Sequence, residues 1–302
     1  MAAIVRLRPA HGIVLALSLI PAWKLSESLF SGGTMAVSSE ESRQGRELFV
    51  RQWSSNDPMT GGDGLGPVFN ASSCVECHNQ GGAGGGGPVS KNVTVYGLVS
   101  PHPKKLPQSG VVHLKAISPK FQETLSLIHP TLPNQPSIPL SVLTDRTRRR
   151  SPEVVVTQRN TPALFGNGLI DAISNDAIIS HQREHSTAAR LAGLNHAKDP
   201  KIRGRVTRLS DNRIGRFGWK LEFATLSDFV KAACANELGL SNPGRPQATP
   251  LGKQDHEARG VDLTEEQCTL LTNYVRSLPA PRVSLPHEPE KLAAVSAGKS
   301  LF

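Results

Sequence analysis

The word Cys74-Val75-Glu76-Cys77-His78 restricts what this chain can fold around more than any other feature. Two thiols three positions apart on one turn can each form a thioether to one side of a porphyrin. The adjacent imidazole then stands beneath the iron, so CxxCH reads as the attachment site of a c-type haem. A structural zinc site needs four soft ligands, usually from a second close pair. The only other cysteines, Cys234 and Cys268, are 34 positions apart. A thioredoxin-like CxxC belongs at the end of a strand in a βαβ unit, whereas the flanks here, "GPVFNASSCVECHNQGGAGGGGPV", are glycine, proline and asparagine. The glycines read either as a flexible linker or as backbone that lies close to a flat ligand and takes positive φ. No Gly-Lys-Ser/Thr follows them, which excludes a phosphate loop.

The N-terminus, "MAAIVRLRPAHGIVLALSLIPAW", places Arg6 and Arg8 before an apolar stretch from Gly12 to Trp23. That is the layout of a secretory signal, and the stretch is short for a membrane span. Thr34 to Ala36 is the best cleavage candidate, with an uncleaved anchor as the alternative. A periplasmic or otherwise exported location suits a c-type haem, which bacteria attach outside the cytoplasmic membrane. In that compartment Cys234 and Cys268 are a disulfide candidate, or else two buried thiols. The 302 residues carry a net charge of +9, and residues 1–38 hold three of the cations and one of the anions, leaving about +7. For an exported chain this points to an acidic redox partner or an anionic envelope surface rather than to nucleic acid. The cluster Arg146, Arg148, Arg149, Arg150 reads as a solvated loop.

Glycine and proline are abundant, at 27 and 23 residues, which predicts much irregular structure. "SSEESRQGRELFVRQW" reads as a helix with Leu48 and Phe49 on its buried side. From Pro101 to Pro152 loops and short strands are expected, with extended pieces such as "GVVHLKA" and then "EVVVTQ". "NTPALFGNGLIDAI" offers Thr161 as an N-cap with Pro162 at the first helical position, and "SNDAIISHQREHSTAARLA" continues as helix. "GRVTRLSDNRIGRFGWK" reads as a hairpin around Asp211-Asn212. Two helices follow, from Thr225 to about Leu238, ended by Gly239, and from a capping box at Thr264 and Gln267. The closing "GKSLF" echoes "GRELF" at 45–49.

From about Gly45 to Phe302 these segments resemble a known family, the di-haem oxidoreductases similar to bacterial cytochrome c peroxidases and sometimes labelled thiol oxidoreductases. "GLGPVFNASSCVECHNQGG" looks like the family's first haem segment and "RNTPALFGNGLIDAI" like its central motif. "IGRFGWK" with "ATLSDFVKAACANELGL" looks like the stretch before its second haem domain. The resemblance implies a mainly α architecture: a cytochrome-c-like haem domain with long irregular loops, a few short strands and a β-hairpin. It also implies a peroxidase-type or other redox role, with Cys74, Cys77 and His78 carrying over directly. The domain reading is a signal or anchor with linker over 1–38, a haem domain over 39–150, a helical and hairpin region completing the core over 151–282, and a linker with the stub of a second haem domain over 283–302. The family has a second CxxCH downstream of a segment like "SAGKSLF", and the sequence ends at Phe302 ahead of it. The expectation is therefore an incomplete copy with one haem of two, weak or inactive as an enzyme by itself. A mono-haem electron carrier is the alternative.

The sixth iron position falls to Met59, to a histidine, to another group, or stays open, since no methionine follows Met59. His113 is either a distal ligand or a structural histidine; His102 and His129, flanked by prolines, rank lower. Arg216 and Trp219 are candidates for a haem propionate contact and a porphyrin-edge contact, or for docking a hairpin on the core. "HQREH", His181 to His185, matches the inverted zinc-protease word HxxEH with Glu184 as base, a remote alternative with no evident third ligand.

Overall fold

The computed structural model describes residues 37–99, 108–119, 153–191, 205–250, 258–281 and 284–301. The N-terminal apolar stretch, most of Pro101–Pro152, His102, His129 and the 146–150 arginine cluster lie outside the described residues. The helices are α1 (Ser39–Val50), α2 (Cys74–Cys77), α3 (Asn167–Ala172), α4 (Asn175–Leu191), α5 (Leu226–Glu237), α6 (Glu265–Ser277) and α7 (Pro289–Leu301). The strands are β1 (Val68–Phe69), β2 (Val93–Val99), β3 (Gln108–Val112), β4 (Lys115–Ala116) and β5 (Glu153–Arg159). Helix outweighs strand, and the strands form two small open sheets, β1-β4 and β3-β2-β5, both antiparallel. No helix among the described residues is long and apolar enough to cross a membrane.

Reciprocal capping starts the two helices that carry the core. Ser38 Oγ accepts from the Glu41 N–H while the Glu41 carboxylate accepts from the Ser38 N–H, and Thr264 and Gln267 repeat the arrangement at α6. α1 then lies against α6 at very short range. A Cβ at Gly45 would stand 2.0 Å from the Leu270 carbonyl oxygen, so only hydrogen fits there. Leu48, Phe49, Leu271, Tyr274 and Val275 close over this crossing, joined by Leu226, Cys234 and Leu238 of α5 and its cap. One buried cluster thus draws on residues from both sides of the 150/151 boundary.

Asp262, fully buried, ties the loops beneath. Its carboxylate accepts from the Gly64 N–H at 2.8 Å, from the Ser241 N–H and hydroxyl at 2.7 and 2.6 Å, and from the Gln247 amide at 3.0 Å. Charge-assisted bonds of this kind offset the cost of burying the carboxylate.

Three local expectations need correction. Thr161 does not cap a helix: its hydroxyl donates to the Lys91 carbonyl at 2.8 Å, residues 161–164 form no helical turn, and α3 begins only after Gly166 turns at φ 79°. The hairpin around Asp211-Asn212 forms but is shorter than expected: Arg208 bridges Ile214, the Leu209 N–H reaches the Arg213 carbonyl at 2.9 Å and the Gly215 N–H the Thr207 carbonyl at 3.0 Å, and a second turn closed by Phe217↔Phe223 follows. Arg216 explains the bend, because its guanidinium donates to the carbonyls of Ile214, Ala224 and Ile173 and gathers the chain instead of letting it run straight. The strands are also more than short pieces, since β2 and β5 are 7 residues each and pair along their whole length.

The close crossing yields a stability prediction. Gly45→Ala improves helix propensity by roughly 1 kcal/mol but forces the backbones apart. The expected net result is a loss of about 1–3 kcal/mol, read as a lower urea midpoint at unchanged slope.

Candidate functional site

The single turn α2 is shaped by its own polar residues. Ser73 Oγ caps the Glu76 N–H, the Ser72 N–H donates to the Glu76 carboxylate at 2.8 Å, and the turn closes when His78 N–H reaches the Cys74 carbonyl at 2.9 Å. Cys74 and Cys77, three apart, therefore share one face, and both pack on the core cluster. The chain leaves the turn with the His78 ring turned inward, beside Phe49 at 6.4 Å between ring centroids.

His78 Nδ1 faces two backbone carbonyls, Gly85 at 3.2 Å and Pro162 at 3.1 Å. Both are acceptors, so Nδ1 carries the proton and Nε2 keeps its lone pair. Burial pushes the imidazole pKa down, and the two carbonyl bonds oppose that only in part. The ring is thus held neutral, oriented, and basic at Nε2, which is what a metal-ligating histidine needs.

The glycine run makes this hold possible. Gly84 sits at φ 99°, and a Cβ at Gly85 would lie 1.8 Å from the Gln80 carbonyl oxygen. The loop is stitched down by Leu164 N–H to Gly84 O at 2.7 Å, Gly87 N–H to Thr161 O at 3.0 Å and the Tyr274 hydroxyl to Ala83 O at 3.0 Å. It is a tight clasp rather than a linker, and the close approaches of Gly84 and Gly85 are to the protein itself.

Next to the clasp lies a cavity of about 560 Å³, inside the range of roughly 300–1,000 Å³ usual for small-molecule and cofactor sites. α2 and His78 form one wall, α5 a second and the β3-β2-β5 sheet a third, with Phe223 and Trp219 towards the opening. Most of the lining is apolar. Tyr96, Arg159 and Glu237 are among the polar side chains that the sequence reading missed, because strand pairing and helix packing alone bring them together. Glu237 accepts from the Asn70 amide at 2.6 Å, and its pKa is raised by burial, which that bond only partly opposes.

Of the residues singled out in the sequence, Cys74, Cys77, His78, Trp219 and Cys234 line this cavity. Arg216 does not, since its guanidinium is spent on three carbonyls and the Asn175 amide oxygen. His113 is buried behind α5 with Nε2 donating to the Asn236 carbonyl at 2.8 Å, outside the cavity lining, which is the structural of its two readings. Cys234 and Cys268 are separate buried thiols, not a disulfide. Met59 is exposed and away from the cavity. His181 and Glu184 are exposed on α4, and among the described residues no group of three or more His, Cys, Asp or Glu converges on a metal position.

Electrostatics distinguish the CxxC pair from a redox dithiol. Burial pushes the Cys74 thiol up to about 12 and raises Cys77 as well, whereas an attacking dithiol depends on a lowered pKa. Between them Glu76 goes the other way. Burial would raise it, but Lys115 and Lys91, each at 2.7 Å, together with the Ser72 N–H, hold it at about 2. The donor set (two neutral thiols on one face, an imidazole with Nε2 free and an apolar cavity beside them) fits a covalently attached haem.

Glu76 titrates from an ordinary value of 4.5 to about 2 on folding. A depressed carboxylate stabilises the fold fully above 4.5, and that contribution disappears as pH falls through about 2. Glu76→Gln should therefore flatten the stability profile across that window and leave stability near pH 2 unchanged, as read from urea midpoints. No family model, curated protein or solved structure matches this chain.

Proposed function

We propose that this chain carries one covalent c-type haem on Cys74 and Cys77, with His78 Nε2 as proximal ligand. On this reading it works in electron transfer outside the cytoplasm, as the first haem unit of a di-haem, peroxidase-like oxidoreductase with a cytochrome-c-like haem domain. The observation that carries the reading is the double carbonyl hold on His78 Nδ1 at the wall of a cavity that Cys74 and Cys77 also line. Two thiols and a preset imidazole converge there beside a large apolar cavity, which neither zinc nor dithiol chemistry calls for.

A haem bound there supplies an iron that cycles between two oxidation states. The chain's own residues then do three things. His78 presents Nε2, and its bonds to Gly85 and Pro162 keep that nitrogen basic. Val95, Phe229, Leu271 and Val275 exclude water from the cavity. Glu237, its pKa raised by burial, places a carboxyl group in the wall. The lining residues include no methionine and no histidine besides His78. A closed carrier would call for such a ligand, so its lack among the described residues favours a site reachable by a small oxidant. An acidic redox partner suits the net charge of +9.

Expressed with a c-haem maturation system, the chain should keep haem stain through denaturing electrophoresis, and replacing Cys74 and Cys77 together by alanine should abolish it. One equivalent of zinc in place of haem would overturn the reading. In the haem-loaded protein the ferric spectrum should lack a methionine-to-iron charge-transfer band. His113→Ala should leave that spectrum unchanged and cost about 1–3 kcal/mol, because the Asn236 carbonyl loses its buried donor.

A further inference from the structure

The wall of the cavity holds a partly buried cation, Arg159, that no carboxylate among the described residues pairs with. Arg159 ends β5 opposite Val93, and its guanidinium carbon lies 5.2 Å from the centroid of the Trp219 ring. Its Nε is buried with no hydrogen-bond partner, and no carboxylate among the described residues pairs with it. A buried guanidinium N–H left unmade costs free energy, and stacking on an indole holds the plane of the group without satisfying its donors. The geometry calls for an anion, and guanidinium matches a carboxylate better than any other side-chain cation does.

Chain position links this cation to the histidine clasp. Arg159 is three residues before Pro162, whose carbonyl bonds His78 Nδ1. The intervening residues are tied down by the Asn160 amide on Asn92 at 3.4 Å and the Thr161 hydroxyl on the Lys91 carbonyl at 2.8 Å. One short segment, running from the end of β5 to Pro162, thus carries both the second-layer support of the imidazole and a cation in the same cavity. Trp219 is 67 % exposed while lining the cavity, which puts the stacked pair at the opening. A haem has one polar edge, carrying two carboxylates, and that edge favours the side nearest water.

We propose that Arg159, held flat by Trp219, pairs with a propionate carboxylate of the haem and thereby raises its reduction potential. The inference rests on the haem reading above and adds a residue that no motif indicates. A fixed positive charge at the propionate disfavours the more positive ferric state, and it keeps the propionate ionised to lower pH.

The test uses the haem-loaded full chain and measures midpoint potential against pH for wild type and Arg159→Gln. The variant should keep covalent haem, show a lower midpoint at neutral pH, and gain an inflection at higher pH than any in the wild type as the unpaired propionate takes up a proton. Arg159→Lys should restore most of the midpoint. The other titratable or charged groups of the same cavity are Tyr96 on β2, Cys74, Cys77 and His78 at α2, Lys220 and Glu222 beside Trp219, and Cys234 and Glu237 on α5. All of them are common to both proteins, so the difference between the profiles isolates Arg159. Should Arg159→Gln fail to mature, Arg159→Leu, suited to an apolar wall, carries the same measurement. Covalent haem with wild-type midpoint and pH profile in either variant overturns the assignment and leaves the haem reading standing. A wild-type chain without covalent haem overturns both.

Discussion

One ring nitrogen organises the centre of this protein. For His78 to offer Nε2 to the cavity, Nδ1 must be satisfied from behind, and the carbonyls of Gly85 and Pro162 converge on it from two segments far apart in the chain. Bringing Gly85 there requires a loop that folds back within eight residues, with a backbone packed on itself too closely for side chains at Gly84 and Gly85. Bringing Pro162 there requires that residues 161–164 do not start a helix. The Thr161 hydroxyl on Lys91 and the Leu164 N–H on Gly84 enforce that. The segment therefore loses the helical turn its sequence favours, and α3 waits for the left-handed turn at Gly166.

Charge is distributed around the cavity rather than across it. The thiols facing it are neutral because burial disfavours their anions. Glu76, in the same turn, is kept ionised by two lysines that stand outside the cavity lining. Glu237 sits in the wall with the Asn70 amide on its carboxyl, and burial raises its pKa, whereas the Arg159 guanidinium rests over an indole. In an apolar enclosure charges such as these are screened little from one another.

The scaffold that holds this arrangement is local in origin and long-range in effect. α1 and α6 are started by their own capping boxes, but their value lies in the crossing at Gly45, which positions Phe49 beside His78 and Tyr274 under Ala83. Asp262 does the same for loops that have no helix to order them, gathering Gly64, Ser241 and Gln247 on one carboxylate. α7, by contrast, exposes every described side chain, Leu292 and Val295 included, and takes no part in this core.

The sequence alone determined what local chemistry can encode: the CxxCH word, the capped starts of α1, α5 and α6, the glycine after α5 and the apolar faces that build the core. Each of these depends on residues within a turn or two of one another. It misled at Thr161, where an N-cap and proline signal yielded to a tertiary hydrogen bond, and past Gly215, where the arm expected to prolong the Asp211-Asn212 hairpin enters a second turn closed by Phe217 and Phe223. The seven-residue β2 had the Val, Thr and Tyr content of a strand, yet only pairing with β3 and β5 gives that content a cavity to face. Tertiary structure alone decided that His113 turns to a backbone carbonyl and that Arg159, not Arg216, reaches the cavity. The reason is physical: a side chain's partner depends on which distant backbone arrives beside it, and no periodicity or spacing within the chain records that.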